Sequence, residues 1–271
     1  MVDASPWLLV VMGSATGLVG SLLGLGGGVF LVPLLTLALG APIRVAIAAS
    51  LISVIATASA AATVNLSRGL VNMRLGLTLE VATSVGGLLG GITSSLLTHR
   101  QLFLGFGLMM ALMGVVMGAR SGRRNVIADT SLDPGWLGGR IEEAGRTYVY
   151  RVKRLSLGLL ASLVAGAISG LLGVGGGIVK VPVLSAFCGI PIRVAASTST
   201  FMIGVTAAAS AFIYFGRGQI DLPMTAAIAL GTLPGSLIGT QLADRVHARS
   251  LKVIMAVVLV LVAARMLAEA R

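Results

Sequence analysis

Charge is what this sequence has least of. Only 11% of its 271 residues are Asp, Glu, Lys or Arg, while 56% are apolar and the mean hydropathy is +1.00. A soluble chain carries about 25% charged residues, so a soluble enzyme, a disordered tail and a fibrous protein are all excluded. The composition is that of an integral membrane protein with several spans. Acidic residues are scarcest, 9 against 20 Lys and Arg, and within the apolar runs Glu80 stands nearly alone. A cation transporter would need core carboxylates. One cysteine, Cys188, excludes an internal disulfide; lying in an apolar run, it reads as a small packed residue. His99 and His247 are the only histidines, and neither has metal-ligand spacing, so no metal is expected. There is no GxxxxGK[ST] loop for ATP, and the nearest glycine pattern departs from GxGxxG at Val29. No Ser/His or Asp/Asp pairing suggests an intramembrane protease. The chain is expected to be no enzyme and to use no cofactor. Its apolar residues come in runs rather than alternating, which excludes a transmembrane β-barrel.

What is present is basic and repetitive. The formal net charge is +11, and eight of the 20 Lys and Arg fall in one polar stretch: Arg120, Arg123, Arg124, Arg140, Arg146, Arg151, Lys153 and Arg154. In a membrane protein such a cluster marks a cytoplasmic loop rather than a nucleic-acid surface, and no nucleic-acid partner is expected. Residues 1–7 lack a basic n-region and carry Asp3, so the first apolar run is expected to be an uncleaved membrane segment.

The apolar runs are Pro6–Leu39, Val45–Leu66, Leu75–Leu97 and Leu102–Gly118, then, beyond the polar segment 119–154, Leu155–Cys188, Val194–Phe215, Leu222–Ala243 and Leu251–Leu267. Most match the roughly 20 residues that cross a bilayer as a helix. Pro6–Leu39 and Leu155–Cys188 do not: each has 34 residues, about 51 Å as one helix. Glycine breaks both in the middle, at Gly24-Leu25-Gly26-Gly27-Gly28 and at Gly173-Val174-Gly175-Gly176-Gly177. Each reads as two short helices meeting at a break inside the membrane.

These runs are copies. The 149-residue offset between Gly24 and Gly173 also pairs Pro33 with Pro182, Gly40 with Gly189, Pro42 with Pro191, Arg44 with Arg193, Ser50 with Ser199 and Thr57 with Thr206. It continues through Arg68/Arg217, Gly86/Gly235, Gly90/Gly239 and Arg100/Arg249. The chain therefore divides into a first transmembrane repeat (1–118), a basic cytoplasmic linker (119–154) and a second transmembrane repeat (155–271). If each broken run returns to its starting side, the halves are inverted; if each crosses once, they are parallel. The Lys and Arg distribution favours inversion slightly, and inverted repeats with discontinuous helices are a common transporter design.

The duplicated elements GLGGGVFLVP (Gly24–Pro33) and GVGGGIVKVP (Gly173–Pro182) are followed by Gly40-Ala41-Pro42-Ile43-Arg44-Val45-Ala46 and Gly189-Ile190-Pro191-Ile192-Arg193-Val194-Ala195. A polar helix start follows at Ser50 and at Ser197-Thr198-Ser199. In this combination the chain resembles the sulfite exporter TauE/SafE family over nearly its whole length outside the linker. The resemblance implies an exporter of anionic sulfur compounds, sulfite or organosulfonates such as sulfoacetate, in the bacterial inner membrane. It does not fix the substrate.

A glycine break frees backbone groups that lipid cannot satisfy. A helix starting after it presents unpaired N–H groups and a positive dipole end, which suits an anion. Gly26, Gly27, Gly28, Gly175, Gly176 and Gly177 are therefore the candidate substrate site; close helix packing through small residues is the alternative and is preferred for Gly86/Gly90 and Gly235/Gly239. Lys180 follows the second break where the first has Leu31; a membrane-depth lysine points to function, unless it snorkels to the interface. Glu80 is the coupling candidate, with pairing to an arginine the alternative. Arg44 and Arg193 either draw anions to each mouth or anchor helix ends at the headgroups. Ser50, Ser199, Thr57 and Thr206 either donate to the substrate or bond back to their own helix.

The expectation is an all-α polytopic membrane protein of two homologous, inverted repeats, each with a glycine-broken helix or re-entrant hairpin. It would act as a secondary transporter exporting a small sulfur-containing anion by alternating access, with an uncoupled anion channel as the alternative. Its partners would be that anion and the lipid bilayer, with a homodimer left open.

Overall fold

The computed structural model describes residues 5–23, 26–119, 133–143, 146–242 and 248–269. It is mostly helical: α1 (Pro6–Leu23), α2 (Gly28–Pro33) running into a π-helical turn (Leu34–Ala38), α3 (Ile43–Ser67), α4 (Met73–Thr93), α5 (His99–Ala119), α6 (Leu155–Leu172), α7 (Gly177–Ala186), α8 (Ile192–Gly216), α9 (Leu222–Leu242) and α10 (Ala248–Glu269). α3, α4, α6, α8 and α9 are long and apolar enough to cross a membrane. The bundle wears its apolar residues outward, as Leu77, Val81 and Leu89 of α4 and Leu230 and Ile238 of α9 show. Many of its hydroxyls lie inside: Ser50, Ser53, Thr83, Ser162, Thr198, Ser199, Ser210 and Thr232 are all fully buried. In lipid this is the favourable distribution.

Local sequence sets the helix ends. α3 and α8 begin after Pro42 and Pro191, whose fixed φ suits a helix entrance. Both end on a glycine in the left-handed region, Gly69 and Gly218, each at φ 65°. The next amides bond back, Leu70 N–H to the Asn65 carbonyl and Gln219 N–H to the Tyr214 carbonyl, the Schellman arrangement that only glycine adopts without strain. α4 and α9 then start on side-chain caps: Asn72 Oδ1 accepts from Leu75 N–H at 3.0 Å and Asp221 Oδ1 from Met224 N–H at 3.2 Å.

Both long apolar runs fold back on themselves. Gly27 lies beside Thr16 and Gly20 of α1, and Gly176 lies beside Ala165 of α6. Gly26 (φ 74°) and Gly175 (φ 75°) supply a backbone conformation at the reversals that side-chain-bearing residues resist. The second fold-back closes fully, since Lys153 N–H, just before α6, bonds to the Cys188 carbonyl, just after α7, at 3.0 Å.

Glycine also sets the main helix contacts. α1 packs along α9, running the same way, and α6 does so along α4. A Cβ on Gly13 or Gly17 would strike the carbonyl of Ile228 or Thr232, and one on Gly231 or Gly235 the carbonyl of Val10 or Ser14. Gly86, Gly90, Gly166 and Gly170 lock α4 and α6 in the same manner. Gly86/Gly90 and Gly235/Gly239 are thus packing residues, the small-residue contacts that let backbones approach closely. α3 and α8 meet at the centre, and α5 pairs with α10 at the side.

The polar linker holds two strands, a feature the sequence reading did not anticipate. β1 (Gly139–Glu143) and β2 (Arg146–Tyr150) pair antiparallel with Gly139 opposite Tyr150. The hairpin docks on the bundle. Ile141 and Tyr150 are buried against Leu75, Leu184, Cys188 and Val194, and Asn72 Nδ2 donates to the Leu137 carbonyl at 2.9 Å and to Tyr150 Oη at 3.0 Å. Burial pushes the Tyr150 phenol above its ordinary pKa. The basic residues Arg120, Arg123 and Arg124 lie outside the described residues.

Candidate functional site

The two glycine breaks meet at the centre of the bundle. A Cβ on Gly28 would collide with the Gly173 carbonyl and the Ser50 hydroxyl, and Gly26 faces Val54 and Ile203. Ser50 Oγ donates to the Gly173 carbonyl at 2.7 Å. That hydroxyl therefore satisfies an acceptor freed by the break. Its counterpart Ser199 is fully buried, and its Oγ has no partner among the described residues; Gly24, the residue matching Gly173, lies outside them.

Past the break, α7 begins at Gly177. The amides of Val179 and Lys180 close the first turn on the Gly176 carbonyl, while those of Gly175 and Gly176 have no backbone partner among the described residues. Lys180 is the fourth residue of α7 and so belongs to this first turn. Lys180 is completely buried, and its Nζ has no hydrogen-bond partner among the described residues. It does not snorkel to an interface. A lysine in a membrane-spanning helix costs about 2.5–3.5 kcal/mol on insertion scales, and no described residue gives the ammonium an acceptor to offset it.

The nearby opposite charge is Glu80. It is 5% exposed on α4, two turns in from the helix start. Its Oε1 accepts from Thr206 Oγ1 of α8 at 2.8 Å and from Ser84 Oγ at 3.0 Å, and its Oε2 has no partner among the described residues. Glu80 and Lys180 act on each other electrostatically without forming a direct hydrogen bond. Two further buried hydroxyls without partners among the described residues, Ser162 and Ser169, lie on α6. The centre thus combines an ammonium, a carboxylate oxygen and hydroxyls that lack partners among the described residues with the amides of a broken helix.

Of the residues singled out in the sequence, the structure gathers Gly175, Gly176, Gly177 and Lys180 at the second break, with Glu80 and Thr206 joined to each other. Gly26, Gly27 and Gly28 press against the second break from the other side. Thr57 Oγ1 donates back to the Ser53 carbonyl at 2.9 Å. Arg44 sits elsewhere, its Nη2 donating to the Leu97 carbonyl at 2.8 Å; with Arg217, whose Nη1 donates to the Gly91 carbonyl at 2.8 Å, it satisfies carbonyls at and just beyond the C-terminal end of α4. Arg193 is exposed in the first turn of α8. The sequence reading missed Ser84, Ser162 and Ser169. Ser84 was findable, since it lies one turn from Glu80 on the same face. The other two replace Gly13 and Gly20 of the first half, so comparing the repeats position by position exposes them. An apolar cavity of about 240 Å³, lined by Phe30, Pro33, Leu37, Met110 and Val262 among others, lies apart from this centre and offers an anion nothing.

The model of the sulfite exporter TauE/SafE family matches residues 9–266. The chain belongs to the sulfite exporter TauE/SafE family. It is 27% identical to the probable membrane transporter protein YunE of Bacillus subtilis, over 97% of each chain. It is 29% identical to a probable membrane transporter protein of Xylella fastidiosa, over 89% of this chain and 87% of that one. A probable membrane transporter protein of Methanocaldococcus jannaschii is 23% identical, over 93% of this chain and 91% of its own. No solved structure matches it significantly. As a TauE/SafE protein with five spanning-length apolar helices among the described residues, it is a multi-pass membrane transporter.

Proposed function

We propose that this TauE/SafE protein exports a small sulfur-containing anion, sulfite or an organosulfonate such as sulfoacetate, across the bacterial inner membrane by alternating access. The observation that carries the reading is Lys180, a fully buried ammonium without a hydrogen-bond partner among the described residues, set one turn after a glycine break whose Gly175 and Gly176 amides have no backbone partner among them either. A sulfonate or sulfite head has three oxygens for such donors. The ammonium supplies charge, the break supplies directed N–H groups, and Ser162 and Ser199 are hydroxyls able to complete the shell. Thr57 and Arg44 are committed to backbone carbonyls and stand outside this set.

We read the two halves as inverted repeats. The fold-backs support this, because a run that returns to its own side leaves three further crossings per half. The parallel packing of α1 on α9 and of α6 on α4 agrees, since each first helix then lies along the fourth helix of the opposite half. The two halves would rock about the central site, and the basic linker would face the cytoplasm.

The test is binding and flux with purified protein. Sulfite, sulfoacetate, taurine and sulfate are titrated against the protein, and uptake is followed in proteoliposomes. The reading expects saturable flux of at least one sulfur oxyanion and concentrative movement when a gradient is imposed. Purely downhill, non-saturating flux would make the protein a channel, and no binding by any of the four would remove the substrate assignment.

A further inference from the structure

The charges of the central site balance without a substrate. Lys180 brings +1 and Glu80 brings −1, both buried. The neighbouring elements add no further charge at their level. α6 carries no ionisable residue, with Arg154 before its first turn. α8 carries exposed Arg193 in its first turn and buried Tyr214 near its end, where Tyr214 Oη donates to the Gly170 carbonyl; Arg217 follows it and is turned to α4 carbonyls. α4 itself adds only Arg74, exposed in its first turn. α7 holds no other charge, and Cys188 follows its end. From the linker hairpin, Tyr150 reaches Asn72 at the helix end.

A monovalent anion entering this site alone would leave one net negative charge in the membrane interior. Uncompensated charge there is the costliest state available. The geometry offers a remedy. Glu80 Oε1 is held by Thr206 and Ser84, while Oε2 has no partner among the described residues, so a proton can settle on Oε2 without breaking either hydrogen bond. With that proton in place, Lys180 loses its internal counter-charge and is free for the anion.

We propose that Glu80 is the built-in competitor of the substrate, so that one monovalent anion at Lys180 binds together with one proton on Glu80 Oε2. This rests on the reading that the anion occupies the Lys180 site. No covalent bond forms or breaks. The proton comes from the medium and leaves with the anion, and the site is neutral both empty and loaded. Transport is then electroneutral: the proton and anion gradients set its direction, and the membrane potential does not. Because the two ligands favour each other, each changes the other's affinity by the same factor. Anion affinity therefore rises as pH falls.

The probe is methanesulfonate, a monovalent sulfonate that does not titrate in the neutral range, added to the purified full-length protein in weakly buffered detergent solution with a pH indicator. The expected result is uptake of about one proton per anion bound, with affinity falling up to about tenfold per pH unit on the alkaline side. E80Q is expected to bind the anion with no proton uptake and no such pH dependence. In proteoliposomes, flux should follow an imposed pH gradient and ignore a potassium-diffusion potential. Anion binding by the wild-type protein without proton uptake, or flux driven by potential alone, overturns the coupling while leaving the substrate site standing. Failure of methanesulfonate, sulfite and sulfoacetate all to bind overturns the substrate site, and the coupling with it. The wild-type proton measurement decides the matter even if E80Q does not fold.

Discussion

The two glycine hairpins share a backbone but not a chemistry. They lie 149 residues apart, open with 18-residue helices, and turn on glycines of matching φ, 74° at Gly26 and 75° at Gly175. Yet the first presents Leu31 where the second presents Lys180, and Gly13 and Gly20 where the second presents Ser162 and Ser169. The helix facing the second supplies Glu80; the matching residue facing the first is Ala229. The first half keeps the scaffold and lends Ser50 to the Gly173 carbonyl of the other break. The proposed repeats share a frame, and a few differences between them place the charges on one side of it.

The comparison can be broken in several ways. The largest effect is expected where the hairpins touch. Gly28→Val puts carbon into the Gly173 carbonyl and Ser50, with no flexible side-chain end to yield. Such overpacking costs 1–3 kcal/mol or more, and size-exclusion profiles should show lost or aggregated protein. Gly216→Ala meets open space and should leave the profile unchanged.

Lys180→Met should come next, lowering anion affinity about 100-fold or more, since loss of a charged hydrogen-bonding partner from a buried site costs 2–5 kcal/mol. Thermal unfolding should be lowered at alkaline pH, where Glu80 is left buried without its counter-charge, and should recover as pH falls and Glu80 takes up a proton. The matching change in the first half, Leu31→Met, should leave both affinity and stability alone. A reversed pattern would exchange the roles assigned to the two hairpins.

Leu31→Lys sharpens the contrast. Leu31 is fully buried among Val29, Val32 and Leu35, with no carboxylate at the place corresponding to Glu80. A lysine there should destabilise the protein by about 3 kcal/mol without restoring binding to the Lys180→Met protein, as a melting curve and a binding titration would show. The smallest effect belongs to Ser50→Ala. It deprives the Gly173 carbonyl of its hydroxyl and should cost about 1–2 kcal/mol, read as a Tm lower by several degrees with anion specificity unchanged.

Much of this frame is legible in the sequence. Apolar runs gave the helices to within a few residues, since length and hydropathy alone decide what spans a bilayer. The glycine runs marked the breaks because so few residues tolerate those backbone angles. The linker hairpin was missed: Ile141, Thr147, Val149 and Tyr150 are strand-forming residues, but the high charge of the segment hid their alternation. Side-chain partners were the least legible. Nothing in the spacing of Glu80 and Thr206 foretells that α4 and α8 bring them to 2.8 Å, and Ser50 read as either a substrate donor or a hydroxyl bonded back to its own helix because its partner, a carbonyl 123 residues away, exists only once both breaks meet. In the account proposed here, repeat symmetry marks the shared scaffold, and the anion site lies where that symmetry fails.

The most direct test of that claim is a titration of purified wild-type and Lys180→Met proteins with sulfite and sulfoacetate, followed calorimetrically at fixed pH. Saturable binding to the wild type, weakened about 100-fold or more in a folded Lys180→Met protein, is the predicted result. Equal affinity in the two proteins would contradict it and would remove the second hairpin from the substrate site.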